Sequence, residues 1–360
     1  MTQISSFTRC IHPVTRTVGR YERRAPARNL TGKKFIGTLF HLFLAAFLLT
    51  CTAGTGRAAE TAVVRLGLLQ FGTVSWEVAA MRDGPAARHN LKIETLPLAD
   101  KDAAAIALLS GQVDVIVTDW LWVARQRAAG KDYTFVPFSV AAGGVLARPA
   151  AHIASIADLA GRRLGIGGGP DDKSWLLLQA YARKTANIDL AKQADVQFSA
   201  PPALNALMQH GRLDAMLNFW QFNARLQAVG YPEVVSMPDM LSALGINQPP
   251  PLLGWVFRDS WAAQQKPAVK ALLDASFDAK QRLLHDDAAW QKLRPLMQAS
   301  DDSLFAALKA GYRAGIPAGY SDADIAAASK TLAIMASIDP ATAGGLADLP
   351  AGTFWPGYRR

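Results

Sequence analysis

GQVDVIVTDW at residues 111–120 returns a hundred positions later as GRLDAMLNFW at residues 211–220. Each copy runs Gly, two residues, Asp, an apolar run of strand length, one polar residue and a closing Trp, or nearly so. A second echo lies upstream of each: RLGLLQFGTVSW begins at Arg65 and RLGIGGGPDDKSW at Arg163, at an offset of 98 to 99. Two separate echoes at nearly one spacing predict two halves built alike. Gly after a helix and Asp before a strand recur in any parallel α/β protein, so the doubling carries more weight than the individual matches.

Outward from these phrases, short apolar runs alternate with helix-like stretches, the pattern of βαβ units and a mostly parallel sheet. Strands are expected at 63–69, 92–98, 113–118, 133–139 and 143–148, with helices at 76–82, 103–110 and 121–129. After a short helix near 154–159 the order restarts, with strands at 162–167, 195–199 and 213–217 and helices at 175–184, 203–210 and 221–229. Pro249-Pro250-Pro251 can neither continue a helix nor sit mid-sheet, so the chain is redirected there. One further strand is expected at 252–257, then helices at 260–285, 288–297, 302–315 and 321–337. This helical tail is expected to pack on the first half.

The chain has 360 residues, is 50% hydrophobic and carries a formal charge of +9. Such a charge suggests an anionic polymer as partner until its location is considered. Residues 1–58 hold nine Lys or Arg against one Glu, a surplus of eight, which leaves only +1 for the rest. A nucleic-acid partner therefore has no support. The basic segment leads into the apolar run FIGTLFHLFLAAFLLT at 35–50, short for a membrane span and suited to the core of a signal peptide. Residues 1–58 are expected to be an export signal cleaved before Ala59, which places the remainder in the periplasm. Cys51 stands where a lipid could be attached, but Thr50 before it fits such a site poorly. Cys10 and Cys51 are the only cysteines, so the processed chain would have no disulfide, thiolate zinc site or thiol nucleophile.

In an open α/β sheet, ligands bind beyond the carboxyl ends of the strands. Four junctions stand at such ends: Gly72, Thr73, Ser75 and Trp76; Asp119 and Trp120; Gly169, Lys173, Ser174 and Trp175; and Asn218, Phe219 and Trp220. Four of the nine tryptophans at equivalent places suggest an aromatic clamp between two facing lobes, although a Trp is more often core than contact. GIGGGPDDKS is not a phosphate loop, because Asp172 stands where that motif requires Gly before Lys. HExxH and GxSxG are absent, no histidine falls at these junctions, and no catalytic set, metal site or cofactor is expected. Asp114 and Asp214 precede their strands and read as structural.

Several stretches together resemble the solute-binding proteins of ABC importers for sulfonates, taurine, nitrate and thiamine-precursor pyrimidines. They are the Gly72-Thr73-x-Ser75 loop, ALLSGQVDVIVTD at 107–119, SIADLAGRRLGIGGG at 155–169 and ALNALMQHGRLDAMLNFW at 203–220. The resemblance implies an α/β fold of the type II periplasmic-binding-protein kind: two Rossmann-like lobes joined by hinge strands, with the C-terminal helices on lobe 1. On this reading 59–147 form the first part of lobe 1, 148–235 form lobe 2, and 236–360 return to lobe 1. It implies a monomer that closes on a small-molecule ligand and delivers it to a membrane permease and its ATPase, with the thirteen junction residues above as binding positions. GPDDKSW replaces the small hydroxyl residues of sulfonate binders and counts against a sulfonate, and the clustered Trp side chains favour a neutral, zwitterionic or aromatic solute. The alternatives are an enzyme resembling thiamine-pyrimidine synthases on the same fold, which would want Cys, His and Lys in its cleft, and a periplasmic partner protein without transport.

Overall fold

The structure, a computed structural model, describes residues 61–338, 340 and 343–359. The expected export signal, with Cys10 and Cys51, lies outside these residues. The strands are β1 Ala62–Leu69, β2 Leu91–Leu98, β3 Val115–Thr118, β4 Tyr133–Ser139, β5 Val145–Ala147, β6 Arg163–Gly167, β7 Asp195–Ser199, β8 Ala215–Leu217, β9 Glu233–Val235 and β10 Leu253–Arg258. They form two five-stranded sheets, β2-β1-β3-β10-β4 and β7-β6-β8-β5-β9. In each sheet the strands of the local βαβ units run parallel, and one strand arriving from the other half is antiparallel to its neighbours: β10 in the first sheet, β5 in the second.

The doubled phrase has a physical explanation in these sheets. Asp114 takes the backbone N–H of Arg65 at 2.9 Å and its Nε at 3.1 Å, and returns its own N–H to the Arg65 carbonyl at 2.8 Å. Asp214 does the same for Arg163, at 3.1, 3.0 and 2.9 Å. The Asp of each GxxD thus ties the strand it precedes to the Arg of each RLG, which explains why both echoes share one spacing. Arg148 adds a further bond to Asp214 at 3.0 Å, and the Arg163 hydrogen bond holds the Asp214 carboxyl well below the usual carboxylate range. Both aspartates act in structure, away from the cleft. The Gly of each RLG also has a reason. A Cβ on Gly67 would lie 2.8 Å from Leu98, and one on Gly165 2.5 Å from Leu213.

Among the described residues, eleven helices have seven residues or more: α1 Val74–Arg82, α2 Lys101–Leu109, α3 Trp120–Ala128, α4 Lys173–Ala186, α5 Pro201–Gln209, α6 Trp220–Gln227, α7 Met237–Ala243, α8 Lys266–His285, α9 Asp287–Met297, α10 Asp302–Ala314 and α11 Asp322–Ile338. Asp100, Asp119 and Asp172 cap α2, α3 and α4 with side-chain oxygens, satisfying backbone donors that have no partner inside the helix. The expected helix over 260–285 is broken at Gln265, because Pro267 in the first turn of α8 has no N–H to continue an incoming helix.

Three features differ from the sequence reading. Val145–Ala147 pair with β8 and β9 in the second sheet, so the chain crosses over before residue 148. β9 and α7 replace what reads as irregular chain. Of the helical tail, α8 and α9 pack on α1 beside the first sheet, whereas α10 also meets α6 and α11 meets α4, so the tail braces both halves. The C-terminal segment then covers the open edge of β4: Phe135 donates to the Thr353 carbonyl and accepts from the Trp355 N–H, both at 2.9 Å. An edge covered in this way cannot pair with another chain.

Candidate functional site

The carboxyl ends of β1, β3, β6 and β8 face one another across a cleft. Its inner part is a cavity of about 100 Å³, room for a cluster of waters or a solute of similar bulk. Small residues make that space: Gly67, Gly72, Ala104, Ala141, Ala142, Gly143 and Gly167 all line it. Gly143 is pressed on the other wall, where an added Cβ would lie 1.9 Å from the Asn218 carbonyl oxygen. Beyond the inner cavity is an outer chamber of about 360 Å³, and the two share Lys101, Thr118, Asp119 and Phe219 as walls.

The partition between the chambers is charged. Lys101, in the first turn of α2, donates to Asp119 at 3.1 Å and, across the cleft, to Asp172 at 3.5 Å. Burial alone would depress the Lys101 ammonium, but Asp119 and Asp172 outweigh it and raise the group above its ordinary range. Burial likewise opposes ionisation of Asp119, yet the positive charges of Lys101 and Lys173 and the Trp122 N–H hold its carboxyl well below the usual range. Outside this partition, Arg125 pairs with Asp171 at 3.0 Å. Both ion pairs run from the first half to the loop that opens α4.

The expected site residues divide sharply. Gly72, Thr73, Asp119, Lys173, Ser174, Asn218, Phe219 and Trp220 line the inner cavity, and Gly169 lines the outer chamber. Ser75 lines neither; its hydroxyl donates to the Gly72 carbonyl at 2.9 Å and fixes the loop. Asn218 is spent on structure, since its amide donates to Pro201 O and Asn205 Oδ1 and accepts from the Phe219 N–H.

The four-tryptophan clamp is overturned. Trp120 is 0% exposed, and Trp76 and Trp175 are also buried; none of the three lines either chamber. Trp175 packs edge-on against Phe198. Trp76 meets Trp220 edge-to-face with ring centroids 6.1 Å apart, so Trp220, which lines the inner cavity, joins the two halves as well. Phe71 adds to that joint against Phe219 and Phe222. These aromatic rings hold lobe to lobe.

The residues missed from sequence are Lys101 and Asp172, which belong to the charged partition, Arg125, which pairs outside it, and Ala141 to Gly143, where the chain crosses over. Lys101 follows β2 at a carboxyl end and was open to the same rule that found the other junctions. It lacks a neighbouring Trp, the signal on which the sequence reading leaned. Among the described residues no group of three His, Cys, Asp or Glu is placed to hold a metal ion, and no described helix is long and apolar enough to cross a membrane.

Two α/β sheets that each receive a strand from the other, with a cleft at their carboxyl ends, define the type II periplasmic-binding-protein architecture. The chain belongs to the NMT1/THI5-like family, whose model matches residues 79–289. No curated protein matches it at the sequence level. Among solved structures it is similar to the alkanesulfonate-binding protein SsuA of Xanthomonas axonopodis pv. citri bound to MOPS, at 19% identity, TM-score 0.66, over 83% of this chain and 99% of that one. It is similar to the periplasmic aliphatic sulphonate binding protein SsuA of Escherichia coli at 15% identity, TM-score 0.64, over 83% and 94%. The desulfurization enzyme DSZB shares the fold too, at 15% identity, TM-score 0.55, over 82% and 97%.

Proposed function

We propose that the protein is the exported, periplasmic solute-binding receptor of an ABC import system, a monomer that captures a small organic solute between its lobes and hands it to a permease driven by an ATPase. The observation that carries this reading is the cavity walled by strand ends of both halves, with the connecting chain at Ala141 to Gly143 forming part of its lining. A ligand touching both walls makes contacts that exist only when the lobes are together, and so shifts the population toward closure. The direct pairs across the cleft, Lys101 with Asp172 and Arg125 with Asp171, support closure as the bound geometry. SsuA-type neighbours of the same architecture agree with it.

An enzyme on this fold is the weaker reading, although DSZB is one. Neither chamber is lined by Cys or His, the side chains that most often supply a nucleophile and its base. The preference for a neutral, zwitterionic or aromatic solute loses the clamp that motivated it. Native mass spectrometry of the protein as purified, followed by fluorescence titration with whatever small molecule it carries, tests the receptor reading. A co-purified solute that perturbs Trp220 and is released unchanged is the expected result; chemical turnover of that solute would replace the receptor with an enzyme.

A further inference from the structure

We propose that Glu77 is a positioning residue: its buried carboxylate locks helices and hinge strands of the first half into one register and so sets the wall against which the second half closes. The proposal rests on the receptor reading and deepens it, since that wall matters to binding only if the lobes close on a solute. Glu77 is 0% exposed and lines neither chamber. From α8, Ser276 donates to its Oε1 and Lys280 to its Oε2; from α10, the Tyr312 hydroxyl donates to the same Oε2. These donors are buried as well. Burial, with the Glu77 charge adding to it, pushes the Tyr312 hydroxyl well above its ordinary range, so it remains a donor.

The network reaches both strands that carry the chain between the halves. Trp255 on β10 donates its Nε1 to the Ser276 hydroxyl at 3.1 Å. The Lys280 ammonium stands 3.9 Å from the centroid of the Phe138 ring on β4, a favourable cation–ring contact, and Phe138 meets Trp255 edge-on with centroids 5.2 Å apart. β4 leads into the first crossing and β10 follows the second. From the same carboxylate, three routes end on the inner cavity. α1 begins with the loop whose Thr73 and Val74 line it. Gly311, one residue before Tyr312, seats the Trp220 ring. Gly315, three residues after it, accepts the Val140 N–H at 2.9 Å and lies so near Ala141 that an added Cβ would come within 2.6 Å of it. Trp220 and Ala141 are both cavity wall.

Stability alone is a poor account of such a network. Desolvation offsets most of the attraction in a buried ion pair, and apolar side chains of similar volume often serve as well or better. What the ions add is direction. Apolar faces can slide on one another at little cost, whereas a carboxylate held by donors from two other helices fixes the rotation and register of α1, α8 and α10 together. An error of register at Glu77 would be carried along all three routes to the cavity wall.

Hydrogen exchange read by mass spectrometry on the full-length protein tests this with two variants. Tyr312→Phe removes one hydroxyl and keeps the ring contacts with Trp76 and Trp290; Glu77→Gln keeps the shape and loses the charge. Exchange in α6 of the second half and across residues 140–144 is expected to quicken about 5-fold in Tyr312→Phe and about 10-fold or more in Glu77→Gln, while β6 and β7 change by less than about 2-fold. α6 lies outside the network, so a merely structural role would leave it at the parent rate. Faster exchange confined to α1, α8 and α10, or spread evenly over both halves in the Tyr312→Phe protein, overturns the proposal. Should Glu77→Gln fail to fold, the Tyr312→Phe pattern decides alone. The receptor reading is tested apart from this, by whether the parent protein releases its co-purified solute unchanged. Exchange confined to the first half removes the positioning role and leaves the receptor, whereas turnover of the solute removes the receptor and leaves the exchange pattern standing.

Discussion

Trp120 and Trp220 close the same ten-residue phrase and have opposite fates. Trp120 is sealed within the core, and among the described residues its Nε1 has no hydrogen-bond partner. Trp220 reaches out of the second half, lines the cavity and packs on Trp76 and on Gly311, where an added Cβ would come within 2.6 Å of its ring. The residue before each Trp differs in the same sense. Asp119 carries the ion pair of the cleft, whereas Phe219 contributes a ring to both chambers. A repeated sequence phrase therefore specifies the joint between strand and helix, fixed by its Gly and its Asp, while the direction of the closing side chain is decided by the surrounding packing.

The comparison can be broken by substitution. Trp120→Ala should cost about 3–5 kcal/mol of stability by chemical denaturation, as expected for a buried Trp; a loss under 1 kcal/mol would mean that the ring is not core. Gly143→Ala forces a Cβ on a backbone oxygen with no flexible side chain to yield, and should cost about 1–3 kcal/mol while lowering ligand affinity. Asp214→Asn should cost about 1–3 kcal/mol at neutral pH, because Arg163 and Arg148 lose a charged acceptor.

The sign of the pH effect at Asp214 follows from its depressed folded pKa. Its contribution is complete above the unfolded value of about 3.9 and is lost as pH falls below that toward the folded value. The Asp214→Asn protein should thus lose less stability than the parent on acidification below about pH 4. An identical acid profile for the two would remove Asp214 from the account. Trp220→Ala should cost less than Trp120→Ala, about 1–2 kcal/mol, since the ring is only half-buried. The smallest effect belongs to His210→Ala, a change within about 0.5 kcal/mol in both stability and binding, because the residue is exposed and away from both chambers.

Much of the fold was legible because strands and helices here have strong periodic patterns. The strands Tyr133–Ser139 and Asp195–Ser199 match the expected bounds at both ends. β9 and α7 were not read, since PEVVSMPDM offers too short an apolar run and a proline. A local signal was nonetheless present: Ser236 caps α7 by accepting from the Asp239 N–H at 3.2 Å, and a Ser followed three residues later by an acid is a helix-start pattern. The site was legible by position and illegible by orientation. The strand-end rule found Asp119, Lys173 and Ser174, but whether Trp76, Trp120 and Trp175 face the gap or the core depends on contacts between distant segments. The charged partition escaped for the same reason, since Lys101 and Asp172 are brought together only by folding.

The exchange of strands between the sheets sets the timetable of folding. A chain emerging from the ribosome as far as Ser139 holds four strands of its first sheet, with an empty place between β3 and β4. That place is filled only when Leu253–Arg258 arrives, after the whole second sheet has been made. The first sheet therefore cannot be completed until late in synthesis, and its closing contacts are among the most distant in the chain.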